Sequence, residues 1–171
     1  MNKILISISC SILLCSCFKD PINLKGSWTL GDCSSCSTST TYHINYTGRK
    51  DSAGYFILYG SDGFNSSSVN SSNVIDIFFP SMPTQNGNYK VVDFNRNRVL
   101  DKNQIGVVSI IPARGLYVDA GVRINSGSVP ADSARVYIVN GKIDVLLPHA
   151  LSSISNVGID SVYLDGEVRE N

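Results

Sequence analysis

The chain has 171 residues, and its 14 Lys and Arg balance its 14 Asp and Glu to a formal net charge of zero. That balance supplies no basic field for nucleic acid. Glu occurs only at Glu167 and Glu170, and a chain rich in Val, Ile, Tyr, Ser and Asn favours strands over helices.

The first element in chain order is an address. Lys3 precedes an apolar run, Ile4 to Leu14, broken only by Ser and Cys. The run falls short of the roughly 20 apolar residues that a spanning helix needs. A charged start, a short apolar core and a small residue before the cut describe a signal peptide. The stretch Leu14-Cys15-Ser16-Cys17 resembles the lipobox of bacterial lipoproteins. The resemblance implies that residues 1–16 are removed and that Cys17 becomes a lipidated first residue. Each buried CH₂ of the acyl chains then adds about 0.8 kcal/mol of membrane affinity. Cys10 leaves too short an apolar core, and Cys15 follows the bulky Leu14. Phe18 stands where an inner-membrane retention signal has Asp, so an outer-membrane anchor is expected. Lys19-Asp20 is similar to the short charged signals that send Bacteroidota lipoproteins to the cell surface.

Residues 17–25 read as a tether, in which Pro21 stops any helix. Residues 26–171 read as one β-rich domain, large enough for a real core. No long 3.6-residue period occurs, and period-2 runs recur instead. Strands are expected over 26–30, 41–46, 55–59, 74–79, 88–94, 105–111 and 116–124. A hairpin follows, 135–139 and 142–147, joined by Asn140-Gly141, the pair that best tolerates a type I′ turn. A short helical turn is expected near 150–154 and a last strand over 161–169. About nine short strands with turn residues between them imply an antiparallel sandwich, immunoglobulin-like or jelly-roll-like, with a barrel as the alternative.

Cys33 and Cys36 lie in the turn-like run Gly31 to Ser37. In an oxidising envelope such a pair favours a local disulfide. A redox pair needs a βαβ setting, and zinc needs two more ligands where the chain has only His43 and His149. His43 falls on the face of a strand opposite its aromatics, and His149 follows Pro148 at a strand end. Asp93, Asn95, Asn97 and Asp101 place oxygens at alternate positions, as a calcium loop does. Arg98 stands where that loop needs Gly, and Gln104 where it needs Glu, so a hairpin loop explains the same letters and no metal is expected. Asp62, in Ser61-Asp62-Gly63, reads as a turn residue. Ser52, Ser133 and Ser161 each follow Asp in tripeptides similar to the O-glycosylation sequon of Bacteroidota. Among the rings, Trp28, Tyr42, Tyr46, Tyr55, Tyr59 and Tyr117 fall at strand positions that suit packing. Phe64, in a polar loop, suits exposure.

The runs "GNYKVVDF", "RVYIVNGKIDVLLPHALSS" and "DSVYLDGEVREN" resemble small β-rich envelope lipoproteins of Bacteroidota. The resemblance covers roughly 87–171 and implies a fold and a location more than an activity. No nucleophile elbow, zinc-protease motif, phosphate loop or Glu pair is present, so no catalytic residue and no cofactor are expected. The expected role is non-catalytic: structural or interacting, with the membrane as one partner and an envelope protein or glycan as another. The alternatives are a glycan- or ligand-binding lipoprotein and a small enzyme using Asp or His.

Overall fold

The computed structural model describes residues 25–31, 39–63, 72–92, 94, 99–112, 116–120, 133–154 and 161–171. They form the strands β1 (Gly26–Gly31), β2 (Thr40–His43), β3 (Tyr46–Ser52), β4 (Tyr55–Ser61), β5 (Val74–Phe79) and β6 (Gly87–Val92). They continue with β7 (Gln104–Ile111), β8 (Leu116–Ala120), β9 (Ser133–Val139), β10 (Lys142–Ile154) and β11 (Ser161–Arg169). All belong to one sheet, in the order β2-β1-β11-β10-β9-β6-β7-β5-β4-β3, with β8 paired to both β7 and β10. The sheet is curled into a half-barrel. The all-β expectation holds, in its barrel-like form: a single sheet buries its inner face on itself, where a sandwich has two. One neighbour pair, β6–β7, is parallel, and Phe94 and Leu100, between those strands in sequence, pack on the outer face.

Strand alternation divides the apolar residues between two faces. Along β7, Ile105, Val107, Ser109 and Ile111 point inward, and Val108 and Ile110 point outward. The inner face is the main core, with buried apolar side chains from every strand except β3. Trp28 of β1 is fully buried there and stacks on Tyr42, ring centroids 5.0 Å apart. Its Nε1–H donates to Ser109 Oγ on β7 at 2.9 Å, across the interior. Burying a ring of this size contributes about 5 kcal/mol, and the hydrogen bond leaves neither buried polar group unpaired.

A second, smaller core lies on the outer face. Val92, Phe94, Leu100 and Val108 are buried there, against Tyr55, Phe78, Ile110 and Tyr117. Phe94 sits directly over Gly106, where a Cβ would meet its ring at 2.4 Å. The Phe94 N–H donates to the buried Asp119 carboxylate at 3.0 Å, which fixes this segment on the sheet.

The two ends of the strand order meet. β2 and β3 are joined by Ile44 and Asn45, whose N–H groups donate to Gly26 O and Ser61 O. Arg49 of β3 pairs with Glu170, just beyond β11, and donates to the Gly141 carbonyl. The Glu170 carboxylate also accepts from the Ile143 N–H at 2.9 Å.

β10 carries the sheet's branch point. Its register shifts between Leu147 and Ala150, around Pro148, which has no N–H for a ladder. Before the bulge β10 pairs with β9, and after it with β8. Three strand spacings thus separate β7 from β10 at one end and two at the other, about 14 Å against about 10 Å. The expected helical turn over 150–154 is therefore a correction, since the strand continues through the bulge to Ile154.

The Asn140-Gly141 turn has the expected positive φ at both residues, 54° and 76°. A second such turn, Ala53-Gly54, joins β3 to β4 with φ of 51° and 82°. Gly166 stands opposite Trp28 in the β1–β11 ladder with φ 155°. A Cβ there would meet Ser27 O at 2.4 Å and Trp28 Cα at 2.7 Å. Gly166→Ala should therefore lower the stability read from urea melts by about 3 kcal/mol or more. A loss below about 0.5 kcal/mol would show that the close approach of β1 and β11 is not needed.

Candidate functional site

The outer faces of β3, β4 and β5 bound a cavity of about 280 Å³, lined by Lys50, Ser52, Ala53, Tyr55, Ile57, Asp76, Phe78 and Phe94. Alternation places these residues there. Tyr55 and Ile57 are the outward positions of β4, and Asp76 and Phe78 those of β5, next to the inward Phe56, Leu58, Ile75 and Ile77. The Ala53-Gly54 turn forms part of the rim, with an alanine in the left-handed region that usually takes Gly or Asn.

The aromatic wall is a cluster of three rings. Phe78 and Phe94 stack with centroids 3.9 Å apart and planes 17° apart. Tyr55 stands edge-on to both, at 90° to Phe78 and 78° to Phe94. The polar part is an ion pair, Lys50 Nζ to Asp76 Oδ2 at 3.0 Å. Asp76 is only 8% exposed, and its Oδ1 is buried without a hydrogen-bond partner. Burial pushes its carboxyl above the ordinary range, and the nearby Lys50 ammonium offsets part of that shift. Lys50 also lies over the Tyr59 ring, 5.2 Å from its centroid. Tyr59 is pushed up to about 12, first by burial and then by its hydrogen bond with Tyr46.

The sequence-derived candidates fall in several places. Cys17, Cys33, Cys36, Phe64, Asp93, Asn95 and Asn97 lie outside the described residues. Asp101 accepts from Gln104 Nε2 at 2.7 Å, and Gln104 N–H donates back to Asp101 O, a turn arrangement. Asp62 acts in the same way: its carboxylate accepts from Asn73 N–H at 2.8 Å and ties off a loop base. Ser52 and Ser133 are exposed, each at a strand end. Ser161 begins β11. His43 is exposed. His149 Nδ1 lies 3.0 Å from Asp165 Oδ2, and its ring stacks on Tyr163 at 4.2 Å. That pair is open to solvent, at 57% and 42% side-chain exposure, and neither residue lines the cavity. Trp28 and Tyr42 belong to the core, whereas Tyr46, Tyr55, Tyr59 and Tyr117 are half-buried. Among the described residues no three His, Cys, Asp or Glu come together as a metal site.

The chain matches no family model, no curated protein and no solved structure. The functional reading therefore rests on the geometry and chemistry of the cavity.

The folded protein holds the Asp76 proton more tightly than the unfolded chain does. Its burial penalty is thus absent below the ordinary carboxylate pKa and grows as pH rises through the raised one. Asp76→Asn removes that dependence. The stability of Asp76→Asn relative to the parent should shift in the variant's favour as urea melts move from about pH 3 to about pH 7. A difference that stays constant with pH would contradict the burial of an ionised Asp76.

Proposed function

We propose that this protein is a lipid-anchored envelope module that binds a small ligand in the cavity bounded by β3, β4 and β5. The observation that carries this reading is a concave site combining an aromatic wall with a buried, half-satisfied carboxylate and its lysine partner. A few polar groups converging beside apolar rings are the usual anatomy of a small-molecule site. Keeping an orphaned carboxylate oxygen buried costs folding free energy, and such a perturbed carboxylate in a cleft marks a candidate functional site.

Binding is favoured over catalysis by the same residues. Among the described lining residues, the Asp76 carboxylate and the Lys50 ammonium already neutralise each other, so none of them is a free base. The anchor rests on the lipobox-like Leu14 to Cys17. Lys25, the last tether residue, is held to the end of β11 by a hydrogen bond from Arg169 N–H to its carbonyl at 2.7 Å. The domain would thus hang from the envelope at that end of the sheet, with a soluble molecule or an exposed glycan as its partner.

Two measurements test this. Cys17→Ser should lose the lipid mass and leave the membrane fraction, and a variant that keeps both would contradict the anchor. Ser52→Trp puts a large ring at an exposed lining position. Small polar fragments found by saturation-transfer NMR should bind the parent and lose binding to Ser52→Trp. Fragments that bind both equally would place the binding surface elsewhere.

A further inference from the structure

Among the described residues that line the cavity, the charged side chains sum to zero, yet they present one strong donor and one strong acceptor side by side. Lys50 Nζ and Asp76 Oδ2 are 3.0 Å apart. We infer that the ligand is a neutral, multiply hydroxylated ring, a sugar or cyclic polyol, seated by the Lys50–Asp76 pair and packed on Tyr55, Phe78 and Phe94; this rests on the reading of the cavity as a binding site.

The choice follows from charge and hydrogen-bond capacity. A hydroxyl both donates and accepts. Neighbouring hydroxyls of one ring can donate to Asp76 and accept from Lys50 without parting the pair. Asp76 Oδ2 keeps a lone pair beyond its contact with Lys50, so it can accept the ligand's donor while the pair stays closed.

Charged ligands fit less well. An ammonium ligand would bring a second cation beside Lys50, two positive charges on one carboxylate. An anion would meet the same buried carboxylate and be repelled. A zwitterion would have to separate the ion pair and leave each of its members dependent on the ligand.

Size and apolar surface agree. The cavity, about 280 Å³, lies just below the roughly 300–1,000 Å³ of drug-sized sites, which suits a single ring. The three-ring cluster offers an apolar wall to the C–H side of such a ring, and the Ser52 side chain adds a hydroxyl at the exposed rim.

The test uses the chain with its tether and the parent, Asp76→Asn and Ser52→Trp proteins, their folding confirmed by circular dichroism. Glucose, galactose, mannose and inositol are compared by saturation-transfer NMR with butylammonium, glycine and phenylalanine. At least one neutral polyol should bind, about tenfold more weakly to Asp76→Asn, the effect of one lost charge-assisted hydrogen bond. It should not bind Ser52→Trp. If only the ammonium or zwitterionic probes bind the parent in a manner that Ser52→Trp abolishes, the ligand class is wrong while the cavity remains a binding site. If neither these probes nor the fragment library binds in a Ser52-dependent way, both readings fall. Polyol binding that Asp76→Asn leaves unchanged would also overturn the assignment.

Discussion

The hydrogen bond from Trp28 Nε1 to Ser109 Oγ holds the two sides of a curled sheet together through its interior. A single sheet has no partner layer, so it must cover its inner face with its own far side. The largest buried side chain on that face is Trp28, and it reaches from β1 to β7, strands well separated in the sheet order. The surrounding sequence accommodates it. Gly166 leaves the space opposite, Tyr42 stacks on the ring, and Ser109 replaces an apolar residue at the one inward position of β7 where an indole N–H arrives. An apolar residue at 109 would leave that donor unpaired in the core, at a penalty of about 1–3 kcal/mol.

The curl brings the chain's distant parts to one seam, where Arg49 of β3 meets Glu170 and the Gly141 carbonyl. It also decides what happens outside. The outward residues of β4, β5 and β7 cannot all face water, because the β6–β7 crossover lays Phe94 over them. Phe94 completes a small second core, and that core leaves a cavity beside β3. Asp76, an outward residue of β5 set between Tyr59 and Val108, is buried beside this cavity and keeps one oxygen unpaired. The candidate site is thus a consequence of covering the outer face, and its chemistry comes from a polar residue caught at the edge of that cover.

Much of the strand content was legible in the sequence, because burial on one face produces alternation. β5 was expected over 74–79 and occurs there, and the Asn140-Gly141 hairpin has its expected turn. β3 escaped because it is an edge strand whose residues Arg49 to Ser52 are exposed, so no apolar alternation marks it. The Ala53-Gly54 turn escaped for a related reason: alanine is not a residue that announces positive φ. The bulge at Pro148 was hidden as well, since a proline ordinarily ends a strand and here only displaces its register. Nor does alternation distinguish one curled sheet from two stacked ones, because both bury one face. The candidate site was the least legible part. Lys50 and Asp76 are 26 residues apart; Lys50 fell outside every expected strand, and Asp76 reads alone as an ordinary solvent-facing strand residue. Only the pairing of β3 with β4 and of β4 with β5 brings them together.

The central claim is that the cross-interior contact between β1 and β7 holds the sheet in its curled form. A double-mutant cycle with Trp28→Phe, Ser109→Ala and the combined variant measures it directly by urea unfolding. The account predicts that the two substitutions couple by about 1 kcal/mol or more, because each alone strands a buried polar group that the other would otherwise pair. Strictly additive effects, with a coupling indistinguishable from zero, would contradict it.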